Sequence, residues 1–392
     1  MAAATIPEPL PLTEDTALAE KTAALSVQDV SVAEGSEASS IKDPLPLTEQ
    51  PVASVSAPSM DELAPKGPIA KPIPYPLPTC KPEPAAELTA EHQKKYDELL
   101  AIVKAWTEIP VTSAKGAKSE PLDDTDRLWL TRDCLLRYLR ATKWNVPQAA
   151  DRLRSTLTWQ REFGVRSTID ADYVSPENET GKQVIMGFDV HGRPCLYLNP
   201  GKQNTDFKEH GERQTKHLVF MLQRVIDILP PGQESVALLI NYKDTSNSKN
   251  PPMSQSRQVL SILQTHYPER LGRALISDLP WYVTTFYKLI SPFIDPVTKS
   301  KMKFNEPLTQ HVPAEQLLKA YGGKVDFEYD HKVYWPALNE ICDARRRDYA
   351  ARWEKAGKQI GEHEAYLRGG DAKSLNGEHT GTSYPAGFAA SA

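Results

Sequence analysis

Apolar residues return every three or four positions in ELTAEHQKKYDELLAIVKAW, at Tyr96, Leu99, Leu100, Val103 and Trp106, which predicts an amphipathic helix beginning near Glu87. A polar loop at roughly 108–124 follows. TRDCLLRYLRATKW then starts on Thr131, and NVPQAADRLRSTLTWQREFG on Asn145, with Pro147 early and Gly164 past the end, as helix boundaries require. Residues 87–165 are expected to form a small helical lobe. From 181 the period shortens. QVIMGFD and RPCLYLN flank His191-Gly192 as a hairpin, and SVALLINYK is a continuous apolar run suited to a buried strand. Helices are expected at about 211–229, 253–266 and 280–294, with strands in GRALISDL and KMKFNE. Strands alternating with helices predict an α/β domain over 178–325, its mixed sheet mostly parallel. AEQLLKAYGG and a long polar helix, about 335–367, extend it at the C-terminal side, as segment 326–368.

The segment PWYVTTFYKLISPFIDP departs from the amphipathic pattern. Tyr282, Phe286, Leu289, Ile290 and Phe293 form one stripe, yet Trp281, Val283, Tyr287 and Ile294 fall outside it, so the helix is apolar almost all round. It runs into a turn carrying Asp295, Thr298, Lys299, Ser300 and Lys301. One reading is a core helix with a solvated end. The other is a lid over hydrocarbon whose polar end meets an anion, with Pro280, Pro292 and Pro296 letting it move as a unit. A two-chain lipid with roughly 30 methylenes, at ~0.8 kcal/mol each, would lose ~24 kcal/mol on exposure to water, a barrier that such a cavity removes.

Composition changes the picture at the ends. Residues 1–84 hold 15 of the 33 prolines, a single aromatic (Tyr75), and 12 Asp/Glu against 5 Lys, a charge of −7 that leaves the rest of the chain at +2. That segment is expected to be a disordered tail, as is 369–392. PLPLTE occurs at 9–14 and again at 44–49, either a docking motif or low-complexity drift. Four scattered cysteines indicate neither disulfides nor a zinc site, and no metal is expected. With no signal peptide and no apolar run of spanning length, a cytoplasmic protein that meets membranes peripherally is expected. No nucleic-acid partner is expected. GFDVHGRP has P-loop glycine spacing but continues as Arg-Pro between two strands, and no GxSxG elbow is present, so nothing asks for an enzyme.

YPERLGRALISDLPWYVTTFYKLISPFIDPVTKSK (267–301) resembles the most distinctive stretch of the CRAL-TRIO lipid-exchange family, and within it the fungal phosphatidylinositol transfer proteins. LLRYLRATKW, DVHGRP and AYGG support the resemblance, which covers about 87–345. RYLRATKW, THYPERLG and VYWPAL point to the subgroup linked with azole tolerance and sterol homeostasis. The resemblance implies a sheet flooring a lipid cavity and a gating helix whose Trp281, Tyr282, Phe286, Leu289, Ile290, Phe293 and Ile294 close over acyl chains. It implies that Glu269 and Asp189 contact inositol and that Thr298, Lys301 and Lys143 serve the phosphate side. Thr142 stands where the family has an arginine, and Arg140 and Lys299 are the candidates to replace it. Where relatives that also carry phosphatidylcholine have polar side chains, this chain has Ile185, Leu196, Val236 and Leu238. A buried phosphocholine would lack partners there, so the expected cargo is phosphatidylinositol without phosphatidylcholine, bound as cargo and not as a cofactor. The implied partners are a transient membrane surface (endoplasmic reticulum, lipid droplet or cell periphery), lipid kinases and a sterol. A sterol carrier, or an adaptor using the proline-rich tail, is the alternative.

Overall fold

Side-chain caps start the helices of the lobe, at Thr131 and Asn145 where the sequence placed them. Helix α1 (Ala90–Lys104) starts on Thr89, α2 (Asp124–Trp129) on Asp123, α3 (Arg132–Ala141) on Thr131 and α4 (Val146–Glu162) on Asn145. Thr131 Oγ1 accepts the Cys134 N–H at 3.0 Å, and Asn145 Oδ1 accepts that of Gln148 at 3.0 Å. Each bond satisfies an amide that the helix itself leaves orphaned. Leu99, Val103, Leu135, Leu139, Leu153 and Leu157 are buried in the core these helices share. The computed structural model describes residues 59–246, 249 and 251–379, but not the side chains of Met60, Tyr282, Phe286, Leu289, Ile290 and Phe293.

The α/β part is a five-stranded sheet in the order β1 (Gln183–Phe188), β2 (Pro194–Leu198), β3 (Val236–Asn241), β4 (Leu271–Ser277), β5 (Met302–Phe304). The first pair is antiparallel and the others parallel, as a hairpin followed by helical crossovers dictates. Helices α5 (Phe207–Asp227), α6 (Met253–His266) and α7 (Trp281–Ile290) lie between the strands in sequence, and the short α8 (Pro296–Ser300) leads into β5. Pairing places Ile185, Leu196, Leu238, Ala274 and Met302 in one row across the sheet. Because side chains alternate along a strand, this row shares a face with the row Leu198, Ile240, Ile276 and Phe304, two residues on. Tyr287 of α7 meets Phe304 with ring centroids 5.2 Å apart, so the candidate gating helix lies against that face. On the opposite face Tyr197, Leu239 and Leu275 join the main core, which includes Met221 and Val225 of α5. The outer edge of β1 is covered by Tyr334, whose hydroxyl accepts the Ile185 N–H and donates to the Ile185 carbonyl.

Three expectations need correction. Part of the segment expected to be a disordered tail is packed: Leu63, Ile73, Leu77 and Cys80 are buried, and Pro68–Ile69 pairs in parallel with Asp326–Phe327. Gln316 Nε2 donates to the carbonyls of Leu63 (3.1 Å) and Tyr75 (2.9 Å). A proline-rich strap needs no core of its own when it can borrow one, and its fixed φ angles reduce the entropy lost on docking. Residues 1–58, with both PLPLTE copies, lie outside the described residues. The C-terminal tail is likewise ordered as far as 379, with Ser374 buried and the Leu375 N–H donated to Glu362; 380–392 lie outside the description. The long polar helix is α9 (His331–Lys355), shorter than its pattern suggested. Gly357 and Gly361, at φ of +85° and +90°, turn the chain into the separate short helix α10 (Glu364–Leu367). No helix among the described residues is long and apolar enough to cross a membrane.

Candidate functional site

The parallel strands begin at one edge of the sheet, and charged residues gather there. Arg193 precedes β2, Glu234 and Ser235 precede β3, Glu269 and Arg270 precede β4, and Lys301 precedes β5. Arg140 reaches the same edge from the last turn of α3. Its Nε donates to Glu269 Oε2 at 2.5 Å and its Nη2 to Glu234 Oε2 at 3.1 Å. Burial pulls the Arg140 pKa down, but the charges of Glu234 and Glu269 more than offset it and the group is firmly cationic. Glu269 sits at φ +59°, a backbone conformation that side chains other than glycine rarely adopt. Its carboxylate is 34% exposed, half paired and half available.

Lys301 bends back along β4, its Nζ donating to the Leu271 carbonyl at 2.7 Å. Its pKa is lowered, first by burial; Glu269 and Asp295 pull it upward, while the charges of Arg193 and Arg140 add to the depression. An ammonium in this position gains from any anion that joins it. Thr298 lies one helical turn earlier. Its N–H donates to Asp295 Oδ1 at 2.8 Å, and that carboxylate caps α8. Burial alone would raise Asp295, but the hydrogen bonds it accepts hold it below the usual carboxylate range.

The structure thus brings Glu269, Lys301 and, through Asp295, Thr298 to one edge, and adds Arg140. Of the two candidates to replace the missing arginine, Arg140 pairs with Glu269. Thr142 itself is buried, its hydroxyl donating to the Tyr138 carbonyl and closing α3. Lys143 is exposed at φ +51° in the turn after α3 and makes none of the contacts that join this cluster among the described residues. Asp189 corrects the expectation of an inositol contact. It is fully buried, with Oδ1 accepting the N–H groups of His191 and Arg193 and Oδ2 accepting Arg193 Nη1. Its carboxylate is consumed in building the hairpin turn, and Arg193, which also donates to Ser235 Oγ, carries the charge to the site. Sequence reasoning missed Arg193 and Glu234. The first could have been found from DVHGRP, since a buried turn aspartate attracts a cation; nothing local marks Glu234.

Beside this edge lies the apolar face. Ile185, Leu196 and Leu238 share one row and Val236 lies two residues before Leu238, so all four face the same side of the sheet; Leu238 is half-buried and the other three are buried in the main core. Met302 ends that row and Lys301 directly precedes it. Of the gating residues, Ile294 is buried, Trp281 is 81% exposed, and the side chains of Tyr282, Phe286, Leu289, Ile290 and Phe293 lie outside the description. A charged edge continuous with an apolar face can hold an amphiphile with an anionic head.

The family model for the CRAL/TRIO domain matches residues 178–323, and that for its N-terminal domain matches 95–155. A CRAL-TRIO domain-containing protein of Schizosaccharomyces pombe is 49% identical over 85% of this chain, which spans only 33% of that relative. The phosphatidylinositol transfer protein PDR17 of Saccharomyces cerevisiae is 40% identical over 64% of this chain and 75% of its own length. Among solved structures, the crystal structure of Sfh5 aligns with 57% of this chain and 84% of that one, at 16% identity and a TM-score of 0.42.

Proposed function

We propose that this chain, which belongs to the CRAL/TRIO domain family, is a non-enzymatic carrier of one phosphatidylinositol. The acyl chains lie on the apolar face beneath α7, and the headgroup is held by Glu269, Arg140, Lys301 and Thr298. The observation that carries this reading is the junction at Lys301–Met302, where a half-buried ammonium directly precedes the strand whose Met302 ends an apolar row of the sheet. Charged donors suit a phosphodiester and carboxylate acceptors suit a polyol. The phosphatidylinositol transfer named for the 40%-identical relative supports it. Phosphatidylcholine is refused, because Ile185, Leu196, Val236 and Leu238 offer a buried phosphocholine no partners. Trp281 (81% exposed) and Val297 (63% exposed) meet the bilayer from the water side when α7 opens, and a lipid kinase receives the presented inositol. Purified chain is expected to move labelled phosphatidylinositol, but not phosphatidylcholine, between vesicles, and Glu269→Ala or Lys301→Ala to abolish that transfer. Normal transfer by both variants sinks the assignment.

The unbroken apolar row favours one second reading, a sterol as cargo. Mass spectrometry of lipid that copurifies with the chain separates the two: phosphatidylinositol supports the first, and sterol alone overturns it.

A further inference from the structure

The chain from His266 to Arg270 has two sides. Glu269 serves the sheet edge, whereas His266, Tyr267, Pro268 and Arg270 line a separate cavity of about 420 Å³. Helices α2, α3, α5, α9 and α10 wall it, together with the end of α4 and the turn after it. Nothing in the lipid-carrying reading uses it. Six arginines line it (Arg137, Arg166, Arg270, Arg345, Arg346 and Arg368) against two carboxylates, Asp227 and Glu364. Some of that charge is matched. Arg166 donates to Asp126, Arg346 pairs with Asp227, and Arg137 bonds Glu234 at 2.8 Å and Glu364 at 2.6 Å.

In the interior the guanidiniums find backbone acceptors more readily than anions: Arg270 Nη1 donates to the Glu234 carbonyl at 2.8 Å, and Arg368 Nη1 to those of Ile226 (3.0 Å) and Leu229 (3.3 Å). Arg137, Arg270 and Arg368 converge on the single carboxylate of Glu364, with Arg270 at 3.9 Å and Arg368 at 3.4 Å behind Arg137. The Arg368 side chain is 9% exposed, and its Nε has no hydrogen-bond partner among the described residues. Gln160, 5% exposed, also lines the cavity, and its buried Oε1 has no partner among the described residues. Burial first, and then the neighbouring Arg137 charge, push the Arg270 pKa down to about 10, the mark of a buried cation short of compensation. Orphaned buried donors and acceptors cost stability unless something completes them. Here the missing complement is an anion that also carries a donor. Trp129, Tyr267 and Tyr349 supply flat walls, and the volume suits a compact metabolite.

We propose that this arginine-lined cavity is a second ligand site, distinct from the lipid site, that takes a phosphate ester bearing hydroxyl or ring N–H donors. The phosphate sits between Arg270, Arg368 and Arg346 at the mouth, and a donor of the same molecule reaches Gln160 Oε1. Guanidinium groups bind phosphate by paired donors, which makes the contact both strong and directional. The same chemistry is offered by a soluble nucleotide or by a phosphoinositide headgroup on a membrane.

Isothermal titration of the full chain with ATP and with pyrophosphate, and flotation with vesicles containing phosphatidylinositol 4-phosphate, tests this. One-to-one binding is expected, weakened about tenfold or more by Arg346→Glu and by Arg368→Gln, with a ligand-induced rise in melting temperature that both variants lose. Gln160→Leu should cost ATP affinity and leave pyrophosphate unchanged. Binding of free ATP assigns a soluble ligand; binding only to the vesicles, and its loss in Arg346→Glu, assigns a lipid headgroup. Lys301→Ala is expected to leave this binding intact while losing lipid transfer, so the two sites fail independently. The proposal is overturned if no probe binds, if Arg346→Glu and Arg368→Gln bind as tightly as the parent, or if Lys301→Ala abolishes the binding.

Discussion

His266 stacks on Trp159 with centroids 4.2 Å apart and meets Thr156 Oγ1 through Nδ1 at 3.0 Å, just ahead of the turn that presents Glu269. Burial first, and then the Arg152 charge, lower its pKa from 6.5 to about 4, so the folded imidazole stays neutral where the unfolded one takes up a proton. Its contribution to stability is complete above about pH 6.5 and is lost as pH falls towards 4. Melting temperature should therefore drop across that window, and His266→Gln should flatten the drop; an unchanged profile would refute the assignment. At this scale the residue types of the site were legible, because YPER and DPVTKSK announce a carboxylate, a hydroxyl and an ammonium. What each side chain does was less so. Asp189 was carried over as an inositol contact like Glu269, yet its own turn folds two amides and a guanidinium onto it. Hydrogen bonds made within four residues are invisible in a list of charges.

Helix α7 is the element whose movement the proposed function requires, and its contact with Phe304 gives a way to hold it. A variant with Tyr287→Cys and Phe304→Cys, joined by a short bis-maleimide, should lose vesicle transfer while keeping its fold, and the unjoined variant should retain it. All four native cysteines are buried, which leaves the new pair as the reactive thiols. Continued transfer after cross-linking would exclude α7 as the gate. The strap at 59–84 makes a second test. Removal of 1–84 strips Leu63, Ile73 and Leu77 from their burial and deprives the Gln316 amide of two acceptors. At ~1.5–3 kcal/mol per buried side chain its loss should cost on the order of 5 kcal/mol, an upper figure because the unfolded strap is partly shielded too. Removal of 1–58 should leave these contacts untouched. Equal urea midpoints for the two truncations would mean the strap contributes nothing. Element identity was read correctly where caps and periodicity agreed, as at Thr131 and Asn145. It failed for the strap because composition measures what a segment can bury alone, not what it can borrow.

Across the whole molecule, Glu364 ties the C-terminal extension to the helical lobe. Its Oε1 accepts from Arg137 Nη2 at 2.6 Å and from Thr131 Oγ1 at 3.0 Å, and its N–H donates to Asp133. Burial would raise its pKa, but Arg137, Arg270 and Arg368 drive it far below the usual carboxylate range. Glu364→Ala leaves those guanidiniums buried without their shared anion and should cost about 3–5 kcal/mol in urea unfolding. A loss under about 1 kcal/mol, the range of exposed ion pairs, would show that water compensates them. The polar pattern of 335–367 hid this joint, because Gly357 and Gly361 break the helix and bring Glu364 back against α3.

By itself the sequence determined the elements and the family of chemistry: where helices begin, that strands alternate with them, and that an apolar helix ends in a hydroxyl-and-ammonium turn. Those are local facts, fixed by caps, periodicity and residue type within a few positions. Only the tertiary structure decided which charges meet. It set Arg140 on Glu269 across 129 residues, turned Asp189 inward, docked the proline-rich strap, and gathered arginines from distant segments around one carboxylate. Pairing and burial depend on which distant surfaces the packed core brings together, and no window of sequence contains that information.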